Sequence, residues 1–460
     1  MNKHRSGFFR SLFVMVGLAA VMLVGVVVYD SSPHIPMLLG AVLAGAVALL
    51  SGYRWEEIEA GMVKGMSNSL SSLIILLLIG LLTGIWILDG VVPAMVYYGL
   101  GMISPAFFLP SAMFLCVFLS MLVGSWGTIG TIGLAMVGLA QIMGIPLPVA
   151  AGAIVSGSYV GDKISPLTDT SNLASAITNV NIFENVKHKI YLPLISLAAA
   201  TVIFLVIGFG FQATGGISGE IEKLQRALAE HFNITPFSFL PLIFLVGLMI
   251  FRVSAIPSLV IGIMSAALQA MITGGASLGN VFQTGMDGYV SSTGVELLDT
   301  LLTAGGLNSM LYSVSMILCA MMFSGIMEHT GQMEALLSPI MKHVRSFAGL
   351  ITATAGSCIL VNIFLPEEFI SISIPGALFC DEYDKHNIPR KELAYTAAAA
   401  GTATSSLIPW NTCGVFITGV LGVSPFVYAP YAFYNLLLPV VTVFAAVFSR
   451  KGKKLWKMKN

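Results

Sequence analysis

Charge is scarce in this chain. Only 10% of its 460 residues are Asp, Glu, Lys or Arg, against about 25% in an ordinary soluble domain. The 22 basic residues balance the 22 acidic ones. No basic stripe is present to neutralise phosphates, which excludes a nucleic-acid binder. Cysteine is scarce too. Cys116, Cys319, Cys358, Cys380 and Cys413 each stand alone in or beside an apolar stretch, with no CxxC spacing. That excludes a disulfide scaffold, and small buried hydrophobes are expected instead. The seven histidines, His4, His188, His231, His343 and His386 among them, form no pair with metal-ligand spacing. No low-complexity linker separates soluble domains.

What remains is apolar. Hydrophobic residues make up 56% of the chain and its mean hydropathy is +0.89. A polytopic membrane protein is expected, and a soluble enzyme is excluded. The 47 Gly and 20 Pro fit, because membrane helices tolerate both. Candidate spans lie near 11–29, 36–52, 69–88, 106–123, 128–145, 148–185, 190–211, 236–251, 254–272, 307–327, 347–365, 366–380, 392–425 and 427–449. The run Ser11–Val28 lacks a small-residue cleavage site and reads as a first transmembrane helix rather than a signal peptide. The stretches 92–104 and 331–341 are short enough to lie at the interface. Residues 213–235 are the clearest hydrophilic connection, with Gly219–Phe232 placing Ile221, Leu224, Leu228 and Phe232 on one side of a surface helix.

Basic residues orient the chain. Lys3, Arg5 and Arg10 mark one end, and Arg450, Lys451, Lys453, Lys454, Lys457 and Lys459 the other. Both termini are expected in the cytoplasm of a multi-pass protein of the cytoplasmic membrane. Arg54, Lys64, Lys187, Lys189, Arg252, Lys342, Arg345, Lys385, Arg390 and Lys391 fall on the same side. Lys223 and Arg226 in the long loop fall outside.

The chain also resembles itself at an offset of 243 positions. Ile145-Pro146 falls on Ile388-Pro389, Pro166 on Pro409, Val180 on Val423 and Phe183 on Phe426. In each half an Ile-Pro starts a small-residue helix and a Pro interrupts it 20 residues later. The basic loops Lys187–Lys189, 381–391 and Lys342–Arg345 match stretches without charge in the other half. Two homologous halves of opposite membrane orientation produce that pattern, an architecture that secondary transporters use around a midplane site. The expected organisation is a first inverted repeat over 1–212, an external loop over 213–235, a second repeat over 236–449 and a basic cytoplasmic tail over 450–460.

The chemistry concentrates in Gly161–Asn172, G-D-K-I-S-P-L-T-D-T-S-N, in the middle of an apolar stretch. A continuous lipid-facing helix could not hide so many polar groups. Pro166 breaks it, so two half-helices joined by an unwound crossing are expected. Asp162, Asp169, Ser165, Thr168, Thr170, Ser171 and Asn172 supply the hard oxygens that Na+ or H+ requires. A carboxylate there holds either H+ or Na+ but not both well, which is the simplest exchange mechanism. Lys163 either pairs with Asp162 or snorkels to water. The repeat mate, Thr404–Gly414, puts Ser405, Ser406, Asn411 and Thr412 where Asp162, Lys163, Thr168 and Asp169 stand, so the second break lacks charge. Trp410 either shapes the cavity beside Asn411 and Thr412 or merely packs. Gly124–Thr131, G-S-W-G-T-I-G-T, reads as the tip of a re-entrant hairpin with Ser125, Thr128 and Thr131 as contacts. Its mate carries Glu367 and Glu368, either inside a cavity or at the membrane surface. Asp89, at a helix end, reads as a surface charge.

At Gly124–Thr131, Gly161–Asn172 and Ile408–Gly414 the sequence resembles the NhaC-type sodium/proton antiporter family, over essentially the whole chain. The resemblance implies an all-α fold of inverted repeats with a scaffold domain and a mobile, elevator-type transport domain, often dimeric. It implies Asp162 and Asp169 as the ion-coupling carboxylates, with no cofactor beyond the transported Na+ and H+. The family also includes exchangers of small organic acids such as malate and lactate. No Arg sits in either motif to clamp a carboxylate, which favours an inorganic cation. An organic-acid or amino-acid exchanger driven by Na+ or H+ is the second transport reading, and a channel a further one. An intramembrane aspartyl protease, suggested faintly by Val160-Gly161-Asp162 and Tyr29-Asp30, fails because Asp30 ends the first span.

Overall fold

The computed structural model describes residues 7–29, 31–102, 104–166, 168–213, 217–251, 253–341 and 344–449. The basic tail 450–460 and the positions of Lys3, Arg5, Arg252 and Lys342 lie outside the described residues. Within them the protein is helical, and the single β-bridge joins Tyr289 to Ala304. Seven helices among the described residues are long and apolar enough to cross a membrane, or nine if two sharply bent pairs each count as one. Phe8–Val26, Leu70–Asp89, Tyr191–Phe209, Ala255–Thr273, Leu307–His329 and Phe347–Phe364 match expected spans closely. Large apolar side chains such as Val202, Val206, Ile243, Phe244, Met264, Leu268 and Ile272 face outward. A bilayer is the solvent that accepts such a surface.

Between helices in lipid there is little hydrophobic driving force, so close packing by small residues takes its place. Gly157 and Gly161, four residues apart, lie on one face of helix Leu147–Ile164. A methyl group on Gly157 would sit 2.2 Å from the Met113 carbonyl oxygen, and one on Gly161 would sit 2.3 Å from the Ser120 carbonyl carbon. The Ser165 hydroxyl donates to the Met121 carbonyl at 2.9 Å. These contacts run in register, so Leu147–Ile164 is parallel to the helix that begins at Pro105.

That register shows what happens at Gly124. The 38 residues Pro105–Ile142 would measure about 57 Å as one straight helix, nearly twice the hydrocarbon core of about 30 Å. Gly124 breaks the helix with φ 76° and ψ 174°, a region essentially closed to other residues. Only residues 143–146 join Ile142 to Leu147. A parallel neighbour can start there only if 125–142 has returned. The stretches expected as separate spans over 106–123 and 128–145 are therefore the two arms of one hairpin, its return arm carrying a π-helical segment at Ile129–Gly133.

The second half repeats this design. Phe347–Phe364 and Glu368–Lys385 flank the turn at Leu365-Pro366-Glu367. Phe347 shares an apolar cluster with Leu393, while the Asn362 amide donates to the carbonyl of Gly401 at 2.6 Å. Helix Phe347–Phe364 is thus parallel to helix Arg390–Ser405. The broken helices match at the same offset of 243: Leu147–Ile164 starts opposite Arg390–Ser405, and Asp169–Thr178 coincides with Thr412–Leu421 at both ends.

Helix Phe433–Phe448 gives the relative direction of the halves. Near its start, the Tyr434 amide donates to Ser156 and Asn435 donates to the Ala403 carbonyl. Lys163, seven residues beyond Ser156, donates to the carbonyl of Tyr395, eight residues before Ala403. Leu147–Ile164 and Arg390–Ser405 therefore cross antiparallel, and the repeats are inverted.

Two expectations are refined. Helix Ile217–His231 forms in the hydrophilic connection, but it is docked: Leu224, Leu228 and Phe232 are buried and Gln225 donates to the Tyr97 carbonyl. Asp89 is not a surface charge. It is buried, and neither carboxylate oxygen has a hydrogen-bond partner among the described residues.

Candidate functional site

The two hairpin tips and the first helix break converge on one cavity of about 450 Å³. Its lining includes Val123–Gly127 from the first tip and Glu367–Phe369 from the second. Asp162, Thr168, Asp169 and Thr170 line it from the break. Ser71 and Ser72, near the start of helix Leu70–Asp89, complete the polar wall, and Ile75, Ile79, Met249 and Leu259 form an apolar one.

Asp162 is the centre of the first half. It is 4% exposed. Its Oδ1 accepts the Ser125 backbone N–H at 3.3 Å, with the Ser125 side chain also beside it. Its Oδ2 is buried without a hydrogen-bond partner among the described residues. A buried carboxylate oxygen left so is costly unless a proton or cation meets it. Pro166 removes the donor that would continue the helix, and side chains replace it: Ser171 and Thr168 donate their hydroxyls to the Asp162 carbonyl at 2.6 and 3.2 Å. Asp169 opens the second half-helix as its first residue. It lines the same cavity but is exposed.

Glu368 faces Asp162's cavity from the other half. It is also 4% exposed. Its Oε2 accepts the Cys413 thiol at 3.3 Å, and its Oε1 is without a partner among the described residues. Glu367 caps its own helix, accepting the Ile370 N–H at 2.9 Å. Both glutamates lie inside the cavity rather than at the membrane surface.

Other expected site residues turn away from this space. Lys163 neither pairs with Asp162 nor snorkels. It is buried, its Nζ stands 4.0 Å over the Tyr395 ring, and it donates to the Tyr395 carbonyl at 3.1 Å. Adjacent residues on a helix point about 100° apart, which turns Lys163 toward the second half while Asp162 faces the cavity. Thr128 and Thr131 donate back to the Gly124 and Gly127 carbonyls. Ser165 bonds the hairpin arm, and Asn172 donates to the Thr168 carbonyl. Trp410 donates its indole N–H to the Ile363 carbonyl at 2.7 Å. Asn411 caps helix Thr412–Leu421 and donates to Asn362, and the Thr412 N–H donates to the Pro366 carbonyl. The second break thus fastens the second hairpin tip. Ser71, Ser72 and the Cys413 contact carry no sequence signal of their own, because they depend on which helices meet.

The family model described as "Na+/H+ antiporter family" matches residues 6–171 and 157–450. A Bacillus subtilis protein named Na(+)/H(+) antiporter NhaC is 38% identical over 89% of this chain and 91% of its own length. The protein of that name from Alkalihalophilus pseudofirmus is 34% identical over 94% of each chain. A Malate-2H(+)/Na(+)-lactate antiporter of Bacillus subtilis is 32% identical over 98% of this chain and 97% of the relative. With matches spanning both inverted halves and the cavity between them, the chain belongs to the Na+/H+ antiporter family.

Proposed function

We propose that this protein is a secondary transporter that exchanges Na+ for H+ across the cytoplasmic membrane. The observation that carries this reading is Asp162. One oxygen is oriented by the Ser125 amide and the other is buried, unpaired and turned to a cavity between inverted halves. Such a group takes a proton or a cation and must release one to take the other. Thr168, Thr170 and Asp169 contribute further oxygens at the break.

Domain limits at 1–212, 213–235, 236–449 and 450–460 belong to this reading, as do cytoplasmic termini. The hairpins and broken helices would form the mobile part and carry the cavity across the bilayer elevator-fashion, with the outer helices as scaffold and a homodimer as the working unit. Among the described lining residues there is no Lys or Arg, which supports a cation over an organic acid as cargo. The relatives named Na(+)/H(+) antiporter support the same choice.

The test uses purified protein in liposomes with an internal pH dye and an imposed pH gradient. Na+ or Li+ alone should discharge the gradient, while K+, malate and lactate should not. Silence to inorganic cations with a response to malate or lactate would move the protein to the organic-acid branch.

A further inference from the structure

The helices around the hairpins repeat too, at slightly different offsets. Ile256-Pro257 falls on Ile35-Pro36 at an offset of 221, and helices Ala255–Thr273 and His34–Leu50 start at that same offset. Asn308-Ser309 falls on Asn68-Ser69 at an offset of 240. These segments are inverted as well. A methyl group on Gly80 would sit 2.5 Å from the Met310 side chain, and one on Gly65 would sit 2.4 Å from the Met321 carbonyl oxygen. Residues 65–80 therefore run antiparallel to residues 310–321.

One copy of this repeat walls the cavity. Ser71, Ser72 and Ile75 line it from helix Leu70–Asp89, and Val253, Ser254 and Ala255 line it from the start of Ala255–Thr273. The two offsets carry these positions onto Leu311, Tyr312 and Ser315, and onto Ser32, Pro33 and His34. The structure brings those mates together in turn. His34 Nδ1 meets the Ser32 hydroxyl, and its Nε2 lies 2.9 Å from the Ser315 hydroxyl and 3.1 Å from the Tyr312 carbonyl oxygen. The Ser32 and Tyr312 hydroxyls are 2.9 Å apart. None of these mates lines the cavity, and Tyr312 and Ser315 are exposed. Hydroxyls and an imidazole left uncovered among apolar helices are costly against lipid. They suit a surface that another polar element covers during part of a cycle.

We infer that Ser32, His34, Tyr312 and Ser315 form the wall of the ion path in the opposite-facing state, where they take the place that Ser71, Ser72 and Ala255 hold here. The hairpin tips leave the first wall and close against the second, so two inverted faces serve one cavity in turn. The second wall offers hydroxyls and no carboxylate, so a cation released there meets no competing anionic ligand. This rests on the reading of the protein as an exchanger whose cavity opens to each side of the membrane in turn.

The experiment links each wall to a hairpin tip. Double variants of the full chain in liposomes are treated with a short bismaleimide, and linked peptides are identified by mass spectrometry. Ser72→Cys with Phe369→Cys reports the state described here, because both positions line the cavity. Tyr312→Cys with Phe369→Cys reports the opposite state. Both pairs should link, and each link should abolish the Na+-evoked proton flux measured before linking. Val206→Cys with Phe369→Cys, its first position on the outer surface, should not link. Linking of the Ser72 pair with none of the Tyr312 pair would overturn the inference. So would equal linking of the Val206 pair, or undiminished flux through protein linked at Tyr312. Should Tyr312→Cys not insert, Ser315→Cys replaces it and is read the same way. If Na+ moves no protons in the wild type while both wall pairs link, the two-walled path stands and the Na+/H+ reading fails.

Discussion

Asp162 and Asp169 have the same side chain and face the same cavity, yet burial separates them. Asp162 is enclosed and oriented, whereas Asp169 is exposed to water. A solvated charge about 4 Å from a cation contributes about 1 kcal/mol. Asp169→Asn should therefore raise the KM for Na+ by roughly five-fold and leave kcat within two-fold of wild type, measured as Na+-evoked proton flux. Complete loss of flux would assign Asp169 an equal share of coupling. The sequence motif marks both aspartates and cannot rank them, because rank depends on which side of the half-helix meets water. The same holds for Lys163. Its presence in an apolar stretch is plain in the sequence, but its direction is set by Tyr395, 232 positions away.

Among the elements, the breaks are the legible part. Pro166 and Pro409 interrupt apolar runs with a residue that lacks the helix donor, and Gly124 accepts the positive φ of a turn, so hairpin and crossing both follow from local chemistry. The roles of Trp410, Asn411 and Thr412 were less legible. Their types suit a cavity wall, yet tertiary hydrogen bonds to Ile363, Asn362 and Pro366 turn them into fasteners. The fit of Leu147–Ile164 against the first hairpin depends on absent side chains. Gly157→Ala would force a methyl to 2.2 Å from the Met113 carbonyl oxygen, and overpacking of this kind costs about 1–3 kcal/mol. Gly356→Ala, in helix Phe347–Phe364 with nothing within 4 Å of the added methyl, should be neutral or stabilising by about 0.5–1 kcal/mol. Thermal unfolding in detergent should show a lower midpoint for the first variant only. Equal midpoints would contradict the register.

For the whole molecule, inversion is legible in the charge pattern of the sequence. A basic loop at Lys187–Lys189 matches an uncharged Pro430–Ala432, and the antiparallel crossing of the two broken helices agrees with it. Single cysteines at Lys187→Cys and Val427→Cys, both exposed positions, should react with a membrane-impermeant maleimide from opposite faces of the membrane, with position 187 reached from the cytoplasm. Labelling of both from one face would contradict the inverted arrangement. What composition could not supply is the second carboxylate. Glu368 shares the cavity only because two hairpins, 243 residues apart in sequence, point their tips at each other.

The most direct test of the account is Na+-evoked proton flux in liposomes for the wild type and Asp162→Asn, side by side. Asparagine keeps an oxygen to accept the Ser125 N–H, so the variant should fold, insert and elute like the wild type. The account predicts rapid Na+-driven discharge of the pH gradient by the wild type and none by Asp162→Asn. Wild-type discharge by a correctly inserted Asp162→Asn protein would contradict it.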